Sequence, residues 1–263
     1  KEPRVRTHES DNNYVTSYAD DATGSCAAGG LSTDGLATPM TGITPSFDAA
    51  TQPTLAQDPS NILNTALIGN GGLRYTNNSW GSITGITLPT VSNDSHGFDG
   101  FMSTNDSTLV YNIYSDGKLR ELDLTGLTKT DITSSLVMSS PAAIEGFPDG
   151  TVYVMSRTGQ IDVSANDAGS FSAYSADPAL ASCSSRHLKA LASSPGTTIA
   201  TACNGGSTLA YTLDSGTSWT EVNLSSFSKT TACSIRDIAI IESGTNKIYV
   251  ACEGLEAIYL EMN

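Results

Sequence analysis

Seven side chains are of the kinds that move protons or grip anions: His96, Asp99, Glu145, Arg186, His187, Arg236 and Asp237. An imidazole exchanges protons near neutral pH, and a carboxylate beside it can orient it or share the proton. A guanidinium holds paired oxygens through its planar fork. Such a set would bind an anionic or polyol ligand. Arg186 and Arg236 also recur at one place in a repeat, each beside a cysteine. That recurrence favours bonds to neighbouring backbone or a carboxylate over ligand contact. For His96 and His187 the simpler reading is an exposed side chain. No Ser-His-Asp set, phosphate-cradling glycine loop or metal-spaced histidine pair stands out.

The cysteines carry a second chemistry. Cys183-Ser184-Ser185-Arg186 leads to Ala202-Cys203-Asn204-Gly205, and Cys233-Ser234-Ile235-Arg236 leads to Ala251-Cys252-Glu253-Gly254. In each copy two apolar runs flank a Ser/Gly turn midway between the cysteines. Residues equidistant from a hairpin turn lie about 5 Å apart at Cβ, within disulfide reach. The spacing predicts bridges Cys183–Cys203 and Cys233–Cys252, each worth roughly 3 kcal/mol for a loop of about 20 residues. Paired cysteines point to an oxidising compartment, so the chain is expected to be secreted, extracellular, displayed at a cell surface or periplasmic. Cys26 is the odd thiol, either free or bonded to another chain.

The repeat that holds these residues extends over the chain. First turns recur near Ala19–Asp21, Asp58–Asn61, Thr104–Ser107, Pro148–Gly150, Ser194–Gly196 and Ser243–Thr245. Glycine-bearing second turns follow at 28–30, 70–72, 115–117, 157–159, 204–206 and 253–254. Between them run short β-branched and aromatic stretches such as Thr151-Val152-Tyr153-Val154-Met155, with no helical period. Six units of about 44 residues with up to four short strands describe an all-β fold, a six-bladed β-propeller; five or seven blades are the alternatives. The blades would span 9–50, 51–92, 93–138, 139–180, 181–229 and 230–263. Arg4–His8 is expected to supply the outer strand of the last blade, closing the ring and removing an exposed edge. Counting back from the first turns places the seven side chains where inner strands begin, around the central channel.

Thr212-Leu213-Asp214-Ser215-Gly216-Thr217-Ser218-Trp219 resembles the Asp-box, or BNR repeat, at each of its defined positions: Thr212, Asp214, Gly216, Ser218 and Trp219. A shortened echo is Tyr75-Thr76-Asn77-Asn78-Ser79-Trp80. The resemblance implies a turn between a blade's third and fourth strands, with Asp214 structural. Asp-box propellers include sialidases, sortilin-like receptors and photosystem assembly factors, so the box implies a fold and not an activity. The Arg-Ile-Pro motif expected of a sialidase does not occur. Glu145-Gly146 ahead of Pro148-Asp149-Gly150-Thr151-Val152-Tyr153 is similar to the opening motif of gluconolactonase-type lactonases, which would bring calcium; otherwise no cofactor or metal is expected.

Composition narrows the partners. The formal net charge is −14, without the basic stripe that nucleic acid requires. No apolar run is long enough to span a membrane. Hydrophobic residues make up 38%, too many for disorder. Lys1–Arg6 lacks a following apolar segment and does not read as a signal peptide. Asn77, Asn93, Asn105 and Asn223 begin sequons, which permit glycosylation. The expectation is a non-catalytic extracellular module that binds a protein or glycan at its rim or channel face, or assembles with itself. The alternative is a hydrolase or lyase acting on a carbohydrate or lactone at the central channel.

Overall fold

The computed structural model describes residues 4–8, 13–20, 26–32, 41–43, 54–69, 72–76, 84–86, 97–114, 116–174, 180, 183, 186–191, 193–225, 233–241, 246–253 and 258–262. Their regular structure is β-strand, apart from one turn of 3-10 helix at Thr133–Ser135. The strands form six antiparallel sheets among the described residues, five of four strands and one of three. The sheets open with Arg4–His8, Thr54–Asp58, Gly97–Met102, Pro141–Gly146, Arg186–Ala190 and Ile235–Ile241. These are the first strands of sheets one to six. Each first strand lies beside the first strand of the next sheet, from one through to six.

Alternation drives this stacking. A strand presents successive side chains to opposite faces, and both faces of the middle sheets are apolar. Val152–Ser156 is buried at every position: Val152 and Val154 pack toward sheet three with Tyr111 and Ile113, while Tyr153 and Met155 pack toward sheet five with Leu188 and Ile199. Ala200, Ala202, Leu209 and Tyr211 of sheet five meet Ile238, Ile248 and Val250 of sheet six. A sheet that is apolar on both faces must have a neighbour on each, which makes a radial stack of sheets.

The turns follow their residue chemistry. At Pro148-Asp149-Gly150, Asp149 Oδ1 accepts the Thr151 N–H at 2.9 Å. Gly150 takes φ +81°, a left-handed value that glycine adopts without strain.

Both expected disulfides are present. Cys183–Cys203 and Cys233–Cys252 have Cα separations of 5.9 and 5.1 Å. They do not join directly facing residues: Cys203 pairs in register with Arg186, and Cys252 with Ile235. Each bridge therefore ties the segment ahead of a first strand to the end of the second strand.

Two expectations are corrected at the start of the chain. Arg4–His8 pairs with Asn13–Asp20 of its own sheet rather than with sheet six, because a hairpin between chain neighbours closes a far shorter loop. The expected turn at Ala28-Gly29-Gly30 lies inside the strand Cys26–Ser32; a glycine pair within an extended strand had the composition of a turn. Sheet six accordingly has three strands among the described residues. The side chain of Cys26 and the Asn77–Trp80 echo lie outside the described residues, as do sequon residues Asn77 and Asn93. Sequon residues Asn105 and Asn223 are exposed. Among the described residues no helix is long and apolar enough to cross a membrane.

Candidate functional site

The first strands carry their polar residues in two layers, fixed by register. One layer stands opposite the next-to-last residue of each second strand: Asp99 opposite Ile113, Ala143 opposite Met155, His187 opposite Ala202 and Asp237 opposite Ala251. The other stands two residues further along: Phe101 opposite Tyr111, Glu145 opposite Tyr153, Lys189 opposite Ala200 and Ala239 opposite Tyr249. Equivalent positions on adjacent sheets are thus brought side by side.

In the first layer, His187 Nδ1 lies 3.3 Å from Asp237 Oδ1. Asp237 Oδ1 also accepts the Ile238 N–H at 2.9 Å. The imidazole is buried, and among the described residues its Nε2 has no hydrogen-bond partner. Asp99 is buried; its Oδ1 accepts the Gly100 N–H at 3.0 Å and its Oδ2 the Ile144 N–H of the next sheet at 3.1 Å. First strands sit at sheet edges, where half the backbone groups lack a ladder partner. Asp99 satisfies one such N–H across the gap between sheets.

In the second layer, Lys189 Nζ donates to Glu145 Oε2 at 2.6 Å, joining sheets four and five. Glu145 is therefore not level with Asp99, His187 and Asp237, as counting back from the turns would have it. The turn of sheet four closes at Phe147, whose N–H donates to Thr151 O at 2.9 Å, so Glu145 ends its strand instead of beginning it. Lys189 was not singled out in the sequence, yet it stands two residues beyond His187 and so shares its face.

Both arginines make hydrogen bonds of their own. Buried Arg186 donates from Nε and one Nη to the Arg157 carbonyl at 3.3 and 3.0 Å, and the Cys183 N–H donates to the same oxygen at 3.0 Å. The second turn of sheet four thereby clasps the entry to sheet five. Sheet five treats sheet six alike: the Gly205 N–H donates to Ile235 O at 2.7 Å and the Ile235 N–H to Gly206 O at 2.8 Å. Arg236 pairs with Glu253 in a more exposed position, Nη to Oε2 at 2.5 Å. His96 lies outside the described residues. Among the described residues no group of three or more His, Cys, Asp or Glu side chains is placed to hold a metal.

Thr212–Trp219 forms a bonded turn between the strands Thr208–Thr212 and Thr220–Asn223. The Thr212 hydroxyl donates to Asp214 Oδ1 at 2.8 Å and accepts the Gly216 N–H at 2.9 Å. Asp214 accepts the Ser218 N–H at 2.9 Å and its hydroxyl at 2.6 Å. These bonds, led by the Ser218 hydroxyl, hold the Asp214 carboxyl below the usual aspartate range. Trp219 packs on the core between sheets four and five.

A second turn of this geometry was missed in the sequence. Ser164 Oγ donates to Asn166 Oδ1 at 2.7 Å, which accepts the Ser170 N–H at 2.9 Å. Asp167 and Ala168 have φ of 56° and 64°, matching 59° and 76° at Ser215 and Gly216. Phe171 packs between sheets three and four as Trp219 does one sheet on. The turn needs an acceptor at its third residue and two left-handed residues after it, and Asn, Asp and Ala meet those needs here.

No protein-family model and no curated protein matches the chain. Among solved structures it is similar to the GH74 enzyme of Niastella koreensis, at 19% identity over 99% of this chain and 36% of that one, with a TM-score of 0.60. It is also similar to YCF48 bound to D1 peptide, at 14% identity over 80% of this chain and 66% of that one, with a TM-score of 0.53. The chain thus spans about a third of the enzyme's length. Both neighbours are β-propellers, and at these identities the likeness establishes that fold alone.

Proposed function

We propose that the chain is a six-bladed β-propeller, its six sheets the blades of a closed ring, acting outside the cell as a binding or assembly module for a protein or glycan. The observation that carries this reading is how the polar residues of the first strands are used. Asp99, Glu145 with Lys189, and His187 with Asp237 each tie one sheet to the next. Side chains engaged in this way build a rigid frame, and a rigid frame is what an interaction surface needs. The exposed Arg236–Glu253 pair, with Asp237 beside it, offers the contact surface at the end where second turns clasp the next sheet. A propeller bound to a peptide among the structural neighbours is a precedent for such use. The two disulfides suit an oxidising compartment.

The test is binding of the purified chain to a peptide library and a glycan array, repeated with Arg236→Ala and Glu253→Ala. Saturable binding weakened at least about tenfold by either change, with an unchanged thermal midpoint, supports the module; a tenfold loss is about 1.4 kcal/mol. Binding to neither array overturns it.

One observation favours a second reading. Asp237 Oδ1 lies 3.3 Å from His187 Nδ1, and among the described residues Nε2 has no hydrogen-bond partner, the arrangement in which a carboxylate orients an imidazole as a general base. A hydrolase or lyase would then turn over a lactone or polysaccharide, and His187→Ala would abolish that turnover.

A further inference from the structure

The two disulfides are written alike in the sequence and placed unlike in the fold. Cys233 and Cys252 are 1% and 8% exposed and belong to the core between sheets five and six, with Ile235, Ile248 and Val250. Cys183 and Cys203 are half-buried, so a thiol in solution reaches the first bridge and not the second. The neighbours differ as well. Cys203 stands in register opposite Arg186, whereas Cys252 stands opposite Ile235. Arg186 is buried, and its guanidinium donates to the same Arg157 carbonyl oxygen that accepts the Cys183 N–H. Its positive charge is therefore held beside the first bridge, where water screens it little. Arg236, the arginine of the second copy, is turned to Glu253, whose carboxylate offsets its charge.

We propose that Cys183–Cys203 is a thiol-exchange site, opened by a dithiol reductant while Cys233–Cys252 stays closed. A thiolate of the reductant attacks Cys183 Sγ. A new S–S bond forms as the old one breaks, and the electron pair of the broken bond leaves on Cys203 Sγ. A thiolate departs faster when its negative charge is stabilised, and Arg186 supplies the positive charge across the strand pair. The second thiolate of the reductant then attacks the reductant's own sulfur in the mixed disulfide and releases Cys183 as a thiolate. Two electrons pass to the chain, the reductant leaves as a disulfide, and each cysteine takes up a proton that the reductant gave up. The consequence is local. The bridge ties the segment ahead of Arg186–Ala190 to the end of Ile199–Cys203. Once it is open, the Cys183 N–H is held at the Arg157 carbonyl by its hydrogen bond without the covalent tie. The clasp between sheets four and five loosens, and the bridge at the entry to sheet six remains. Accessible bridges are the ones that exchange, and buried ones serve structure.

The experiment treats the unaltered, oxidised chain with graded dithiothreitol and quenches it in acid. New thiols are labelled with one isotopic form of N-ethylmaleimide and, after complete reduction, the rest with another; peptide mass spectrometry then reads each bridge. Cys183 and Cys203 should appear together, at least about tenfold faster than Cys233 and Cys252, with the far-UV circular dichroism unchanged. Equal rates, earlier opening of Cys233–Cys252, or reduction only on unfolding would overturn the proposal. Arg186→Lys and Arg186→Gln test the stabilised leaving group. Lysine keeps the charge and should keep the rate, whereas glutamine keeps a donor without charge and should slow the opening several-fold. A merely structural arginine would give the opposite sign, because a loosened clasp exposes the bridge and glutamine would speed its opening. Opening that is faster in Arg186→Gln, or equal in all three chains, overturns the assignment of Cys203 as the stabilised leaving sulfur.

Discussion

The Glu145–Lys189 pair decides whether the first strands are tied together or hold their charges ready for a ligand. The two side chains are 16% and 17% exposed and 2.6 Å apart. At an effective dielectric constant near 20, unit charges about 4 Å apart attract by about 4 kcal/mol. Removing both ions from water returns much of that gain. The net coupling should be about 1–3 kcal/mol, between the exposed and the fully buried cases. A double-mutant cycle with Glu145→Gln and Lys189→Met measures it. Each single change strands one charge and should cost about 2–4 kcal/mol, while the double change should cost little more than either. For a chain of this size, 1 kcal/mol is about 2–4 °C of midpoint, so each single variant should melt roughly 4 to 16 °C early. Urea unfolding gives the free energies directly. A coupling below about 0.5 kcal/mol, with single variants as stable as the parent, would mean that the pair does not tie the two sheets. The proposed binding module would then lose the contact that ties sheets four and five.

Three further outcomes follow from other contacts. Replacing Cys233 and Cys252 together by Ser should cost about 3 kcal/mol, the chain-entropy value for a loop of 19 residues; a loss under about 1 kcal/mol in urea unfolding would contradict it. The Asp214 carboxyl is held below its ordinary range by Ser218 and Thr212. Its contribution is therefore full above the unfolded aspartate value of about 4 and disappears as pH falls through the lower folded value. The thermal midpoint of the parent should exceed that of Asp214→Asn at pH 6 and converge with it in strong acid, whereas a constant gap would argue against the bonded carboxylate. A Cβ added at Gly146 would collide with the Phe101 ring, and Phe101 is stacked on Tyr111 with centroids 5.1 Å apart. Gly146→Ala should destabilise by about 1–3 kcal/mol and shift the Tyr111 resonances in NMR.

Much of the fold was legible because its turns are chemically marked. Pro148-Asp149-Gly150 and Asn204-Gly205-Gly206 announce reversals, and Gly150 and Gly205 have φ of +81° and +77°. The disulfides were legible because one unit is written twice. Sheet one misled because the cues reversed meaning: Gly29 and Gly30 lie within a strand, and Arg4–His8 resembles a strand in need of a partner yet has one nearby. The candidate site was legible as residue types but not as levels. Counting from turns placed Glu145 with His187, whereas only the register separates Glu145 and Lys189 from His187 and Asp237. The turn at Ser164–Phe171 was illegible to a search keyed on Asp, Gly and Trp, because backbone conformation and one acceptor define it.

A repeated fold frees its sequence to vary at one position while the position keeps its place in space. Asp99, Ala143, His187 and Asp237 stand opposite the same point of their second strands. Where adjacent sheets place a base beside an acid, as at His187 and Asp237, the two side chains meet; where the next sheet offers only Ala143, Asp99 turns to the Ile144 N–H of that strand instead. The same carboxylate position is thus filled according to what its neighbour presents, since a buried acceptor without a donor is costly. It follows that exchanging the residues of adjacent sheets in pairs should be tolerated where exchanging one is not. Swapping Glu145 and Lys189 for each other keeps a base beside an acid across the same gap. The swapped chain should recover at least half of the stability lost in either single variant; recovery of none would mean that the local environment of each residue, rather than their pairing, sets the energy.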